Sequence, residues 1–307
     1  MVWSRYEEGK GWSPLEVSDV KAFSLMPAAA VLHYGQAVFE GMKARRNPEG
    51  AVTVFRGEQN AARLRHSARR LVMPEISDEM FLKALHLFLQ KDGHLTPEES
   101  GSGLYLRPYL FAEEAFLGVR PAHSYIFAII GSPMDAYFSA DEGFLKLWIA
   151  DSARAAPGGT GDVKAADAKE QKYIEEAGAM NVMFVKKDGS VVTPPLNGSI
   201  LPGITRDSIL TLGRDLGIEM KEEALAIDEV FAAGRAGEIV EAFSSGTAVG
   251  IIPIGELTRK NSDGQIETVH FKGAGQSFPV ATRLGKALVD IQEGRAEDKH
   301  GWVKAYA

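Results

Sequence analysis

Ala156-Pro157-Gly158-Gly159-Thr160-Gly161-Asp162-Val163-Lys164-Ala165-Ala166 is the stretch around which the rest of the chain is arranged. Three glycines within four positions let a backbone turn tightly or pass close to a ligand, and they lead into a lysine set among small and apolar residues. An amine kept out of bulk water loses part of its preference for the charged form. A neutral amine is what attacks a carbonyl or holds a Schiff base. On this stretch alone a surface turn followed by a solvated lysine stays open, because most lysines are exposed. A phosphate loop of the G-x-x-x-x-G-K-[ST] kind is disfavoured, since Lys164 does not directly follow a glycine and Ala165 is neither Ser nor Thr.

Working outward, the 307 residues are 45% hydrophobic and 24% charged, which fits a globular protein long enough for two domains with real cores. A net charge of -7 with no basic, aromatic-interleaved stripe argues against nucleic acid and for small-molecule partners. The absence of cysteine excludes disulfides, thiolate catalysis and Cys-based metal sites. The opening MVWSRYEEGKGW lacks a signal-peptide pattern, and no apolar run approaches the roughly 20 residues of a membrane span, so a cytoplasmic location is expected. The seven histidines form neither H-x-x-x-H nor H-E-x-x-H, so no metal is assigned. Gly101-Ser102-Gly103 is not a nucleophile elbow and reads as a loop.

The expected fold class is α+β in two domains, residues 1–134 and 146–307, joined by a loop at 135–145. In the first domain, Ala37 to Ala44 and Ala51 to Phe55 read as paired strands. Gly57 to Val72 reads as a helix with Ala61, Leu64, Ala68 and Leu71 on one face. A second helix is capped by Ser77 and stops at Gly93, and Tyr105 to Phe111 and Tyr125 to Ile130 read as buried strands. In the second domain, Lys146 to Ala150 is a strand, and a Lys187-Asp188-Gly189 turn joins strands at Ala179 to Val185 and Ser190 to Thr193. Thr205 is read as the cap of a helix ended by Gly217, and another helix begins near Asp228. A strand at Glu238 to Ala242 runs into a polar turn at 243–248, and Gly275 to Glu293 is the final helix.

Two of these turns suit an anion. The helix start at Pro202-Gly203-Ile204-Thr205 presents unpaired amides backed by the helix dipole, and Ser244-Ser245-Gly246-Thr247-Ala248 adds hydroxyls and amides. Either alone is usually a capped helix or an ordinary turn. Glu176, beside small residues just before a strand, is placed to reach a ring nitrogen, although a solvated carboxylate is the default there. A lysine for an aldehyde, an anion for a pyridine nitrogen and an amide cradle for a phosphate are what a pyridoxal-type cofactor needs.

Residues His33 to Ala44, Leu104 to Pro108, Gly158 to Ala166, Tyr173 to Asn181, Leu201 to Asp207 and Ser245-Gly246-Thr247 together resemble branched-chain amino-acid aminotransferases, and the similarity runs in order along nearly the whole chain. The resemblance implies a fold-type IV enzyme with a smaller N-terminal domain and a larger C-terminal pseudo-barrel domain. It also implies pyridoxal 5'-phosphate (PLP), a homodimer, and an active site between the domains that the partner subunit touches. It assigns Lys164 as the catalytic lysine that bonds the cofactor and moves the proton between Cα and C4′. Glu176 is assigned to the pyridinium nitrogen, and Arg63, Ile204, Thr205 and Thr247 to the phosphate. Ala248 would offer an amide to the substrate α-carboxylate. Tyr34, Phe39, Tyr105 and Tyr137 would wall the side-chain pocket, and Arg107 would meet the distal carboxylate of glutamate. The implied reaction moves the amino group between Leu, Ile or Val and 2-oxoglutarate. Alternatives are a D-amino-acid transaminase or aminodeoxychorismate lyase of the same fold, or a relative that cannot hold PLP.

The pattern breaks once. After the lysine the family continues with a Gly-Asn-Tyr element, a helix and a strand, roughly 25 residues at ordinary lengths, whereas here Ala166 runs into Asp167. The clean match of both flanks favours a segment that the numbering runs across, with Ala166 and Asp167 farther apart than the ~3.8 Å of bonded neighbours. A real deletion should instead damage folding and cofactor binding.

Overall fold

Two apolar-rich runs, 103–112 and 124–134, make the centre of the first sheet. In a computed structural model, which describes residues 1–135, 143–149, 173–178, 180–261, 263–271 and 277–306, these form two long antiparallel strands. The stretch 156–166 with Lys164, Tyr137, and the join of Ala166 to Asp167 lie outside the described residues.

The described residues form two units. The first takes in 1–135 and 291–306, and the second 143–290. In chain order the first has β1 (Val2–Glu7), β2 (Gly11–Trp12), β3 (Glu16–Val17), α1 (Ala30–Tyr34), β4 (Ala37–Phe39), β5 (Met42–Arg46), β6 (Val52–Phe55), α2 (Gly57–Arg70), α3 (Asp78–Asp92), β7 (Gly103–Ala112) and β8 (Ser124–Met134). The second has β9 (Leu145–Trp148), β10 (Glu176–Ala177), β11 (Met180–Lys186), β12 (Val191–Thr193), α4 (Ile204–Asp215), β13 (Met220–Glu222), α5 (Ile227–Arg235), β14 (Ile239–Gly246), β15 (Gly250–Lys260) and β16 (Ile266–His270). Helix α6 (Pro279–Gln292) and β17 (Val303–Ala305) close the chain.

The first sheet runs β17-β6-β5-β7-β8-β1-β2, with β3 on β1 and β4 on β7. Ala61, Leu64 and Ala68 of α2 and Phe81, Leu85 and Phe88 of α3 pack on its inner face against Met42, Ala44, Leu104, Leu106 and Phe127. Each fully buried large side chain contributes about 1.5–3 kcal/mol. Ser77 Oγ caps α3 by accepting from the Met80 amide at 3.1 Å, as its sequence position predicts. The alternation that buries Leu104 and Leu106 turns Tyr105 and Arg107 to the opposite face, beside Lys43 of β5.

Three expectations need correction here. The strand expected over 37–44 is broken at Glu40-Gly41, beside Pro108 of β7, which has no amide to give to the ladder. The tail 291–306, assigned from sequence to the second domain, groups with the first unit. Its attachment is specific. Strand β17 pairs with β6, the Trp302 ring meets Phe55 edge-on at 5.5 Å, and buried Glu293 takes Arg45 at 3.0 Å.

In the second unit the sheet runs β13-β12-β11-β14-β15-β16, with β10 on β11 and β9 on β15. The β11–β12 hairpin forms around the predicted turn. The third correction is that β14 continues through Phe243, Ser244 and Ser245, all buried, so the expected polar turn shrinks to 247–249. Pro253 and Gly255 hide β15 from a sequence reading; Gly255 is required because the Phe144 ring occupies the place of a Cβ. Val182, Phe184, Phe231, Ala242 and Ile254 form the core under α5. Glu241, 2% exposed, caps the start of α6 by accepting from the amides of Val280 and Ala281 at 3.2 and 3.1 Å.

Candidate active site

Arg63 of α2 is buried at 8% exposure, unlike Arg65 and Arg69, which pair with Asp78 and Glu75 nearer the surface. A buried guanidinium needs a partner, and Glu40, with no exposed surface, provides it through two parallel bonds. Nε donates to Oε1 and Nη2 to Oε2, both at 2.7 Å. Asn60 Nδ2, one turn earlier on α2, donates to the same carboxylate at 2.7 Å. Glu40 was missed from sequence because nothing in F-E-G marks which carboxylate will face an arginine 23 positions later.

On the face away from α2 and α3 the structure brings Phe39, Tyr105 and Arg107 together. Arg107 Nη2 donates to Tyr105 Oη at 2.9 Å, and its guanidinium carbon lies 4.5 Å from the centroid of Phe39 and 5.3 Å from that of Tyr105. Arg107 Nε is buried without a hydrogen-bond partner. Gly41 makes room for this group, because a Cβ there would collide with Tyr105 Oη and push the tyrosine aside. Lys43, cross-strand from Tyr105 and 8% exposed, has its ammonium pushed down to about 8, first by burial and then by neighbouring Arg45. This face is therefore apolar at Phe39 and cationic at Arg107.

Tyr34 makes its contacts elsewhere. It is 43% exposed on α1, its hydroxyl donates to the Leu117 carbonyl at 2.9 Å, and its ring lies 6.0 Å from Phe116.

In the second unit, Glu176, Asn181 and Ser245 occupy one cross-strand row over β10, β11 and β14. Thr247 and Ala248 follow in the turn to β15, just beyond that row. The Glu176 carboxylate accepts from the Leu201 amide. Two residues further on, the N-cap of α4 is Gly203 rather than Thr205, and no side-chain cap closes the helix start. Ile204 and Thr205 thus sit in the first turn, at the positive end of the helix. Arg206, 3% exposed, anchors that turn by donating to the Pro194 carbonyl and to Glu222, at 2.8 and 2.6 Å. Ser245 Oγ, 1% exposed, and Ser244 Oγ have no hydrogen-bond partner. A buried hydroxyl without a partner is costly unless a ligand or water completes it. This group is equipped to hold an anion at one end and a cationic ring atom at the other.

Residues 167–257 match the family described as amino-transferase class IV. The branched-chain-amino-acid aminotransferase of Mycobacterium tuberculosis is 41% identical over 332 aligned positions, covering 99% of this chain and 89% of its own length. Branched-chain-amino-acid transaminase 1 of Bacillus subtilis is 39% identical over 324 positions, with 97% and 89% covered. The crystal structure of the Escherichia coli branched-chain amino acid aminotransferase superposes with a TM-score of 0.76 at 27% identity, over 99% of each chain. The α+β, fold-type IV architecture is shared with it. The 332 aligned positions are 25 more than the 307 residues of this chain, so the relative carries residues with no counterpart here, and the class IV match begins at the residue after the Ala166–Asp167 join. With identities near 40% along nearly its whole length, the chain belongs to the branched-chain-amino-acid aminotransferases of class IV.

Proposed function

We propose that the protein moves the amino group between Leu, Ile or Val and 2-oxoglutarate, with PLP, the cofactor of this family, as the group carrier. The described residues fit that cofactor in the second unit, where an uncapped helix start, a carboxylate and the unpartnered Ser245 hydroxyl lie around one cross-strand row. When bound, PLP would supply an electron sink for the electron pair left on the substrate Cα as its proton departs.

Lys164, on the family resemblance, would hold the cofactor and carry that proton. Glu176 holds the ring-nitrogen proton, and the Leu201 amide orients its carboxylate. Ile204 and Thr205 present their amides to the phosphate, with Thr247 and Arg63 as further ligands, and Ala248 presents its amide to the α-carboxylate. Phe39 and Tyr105 receive an apolar side chain. Arg107, held by Tyr105, binds the distal carboxylate of the acidic substrate, and this pairing of an apolar wall with one guanidinium is the observation that carries the dual specificity. Tyr137 stays a pocket residue by resemblance alone.

A homodimer in the cytoplasm completes the reading. Its support is the exposed apolar patch of Met26, Leu32 and Leu117, at 66%, 62% and 71% exposure, on adjoining segments held by a bond from the Phe116 amide to the Ala28 carbonyl. Tyr34 borders that patch. Among the described residues no helix is long and apolar enough to cross a membrane.

The test is a donor panel. Leucine, isoleucine and valine should each yield a 2-oxo acid and glutamate from 2-oxoglutarate; activity with D-alanine or aminodeoxychorismate instead would replace this reading. One observation favours a second reading, a folded relative that does not hold PLP: the aligned relative carries residues with no counterpart here, and the class IV match begins only at Asp167. Absence of near-visible absorption after incubation with PLP, in a chain whose intact mass equals that of the 307 residues, would establish it.

A further inference from the structure

Asn181 connects two groups that the reading above treats separately. It lies opposite Glu176 of β10 and opposite Ser245 of β14, and it is 6% exposed. Its Nδ2 donates to the Leu201 carbonyl at 3.1 Å, while the Leu201 amide donates to Glu176. Its Oδ1 lies so close to Gly203 that a Cβ on that residue would collide with it. One side chain therefore touches both ends of the short segment 201–203, bonded at Leu201 and packed against Gly203. The near end of that segment is bonded to Glu176, and the far end is the uncapped start of α4.

We propose that Asn181 is a positioning residue that fixes the distance between the Glu176 carboxylate and the Ile204–Thr205 amides, and so selects a ligand bearing a ring nitrogen and a phosphate at one set spacing. The proposal rests on the assignment of those two subsites. A side-chain amide suits the task because its Nδ2 donates to the Leu201 carbonyl while its compact oxygen end packs against Gly203. Aspartate could not donate to the Leu201 carbonyl and would set a second negative charge beside Glu176. Glycine at 203 is the matching half of the contact, giving up a side chain so that the helix start can rest on the amide. Two subsites held at a fixed spacing favour a ligand that spans both far more than a fragment filling one, since only the spanning ligand senses the spacing.

The test compares apo Asn181→Ala with wild type for binding of PLP, pyridoxal and inorganic phosphate, each measured alone. The expected result is PLP weakened about tenfold or more, with pyridoxal and phosphate each changed by less than about threefold. Equal weakening of PLP and pyridoxal, or unchanged PLP binding, would overturn the proposal. A second pair of variants guards against a simple folding defect. Gly203→Ala should weaken PLP binding, and adding Asn181→Ala to it should recover part of the loss because the colliding atoms are gone; strictly additive losses would count against the contact. A wild type that binds PLP no better than pyridoxal would remove the subsite assignment itself, whereas the other outcomes bear on Asn181 alone.

Discussion

The first unit holds its candidate arginines by side chains, and the second offers main-chain amides that the Asn181 and Arg206 side chains keep in place. Glu40 clamps Arg63 and Tyr105 carries Arg107, whereas Glu176 is oriented by the Leu201 amide and the helix start is offered uncapped. The contrast is physical. A buried ion pair is costly to break from one side, because the surviving charge has no water to return to. A cradle of amides strands no charge when one side chain is removed; what disables it is a change in backbone path.

The largest expected effect follows for Glu40→Ala, which strands Arg63 beneath the sheet. It should lower the unfolding free energy by about 3–5 kcal/mol, read by denaturant titration. Thr205→Ala in the second unit should cost less than about 1 kcal/mol. Comparable losses in both variants would break the contrast. Next comes specificity. Arg107→Met should raise KM for 2-oxoglutarate by about 10–100-fold, the value of a charge-assisted bond, while leucine stays within about threefold. A parallel loss for both substrates would instead make Arg107 a general support of the pocket.

The smallest effect sharpens the picture of the first unit. Lys43 binds its proton less tightly when folded, at about 8, than when unfolded, so its burial opposes folding at neutral pH. That opposition is full below about 8 and fades as pH rises from there toward an unfolded lysine's value. Lys43→Met should therefore raise Tm at pH 7, by an amount that shrinks through pH 9 and 10. A gain that grew with pH would reverse the assignment.

What was legible in the sequence follows the same division. Periodicity marked α2 and α3, and turn chemistry marked the Ser77 cap and the β11–β12 hairpin, because these signals are local. The resemblance assigned Phe39, Tyr105 and Arg107 to one pocket, and the structure brings these three together. Glu40 was not legible, since it acts through a partner on another element. Nor was the allegiance of the tail, which depends on Glu293 reaching Arg45 and β17 reaching β6. Asn181 stood within a quoted motif, yet its contact with Gly203 needed both segments in place. Residues 249–274 went unassigned because Pro253 and Gly255 broke the strand pattern that the neighbouring ladder restores.

The proposed chemistry turns on Lys164, and that assignment can be tested without substrate. After incubation with PLP and borohydride reduction, peptide mapping should place the pyridoxyl label on Lys164. A label on another side chain, or none at all in a folded chain, would contradict the proposed transamination.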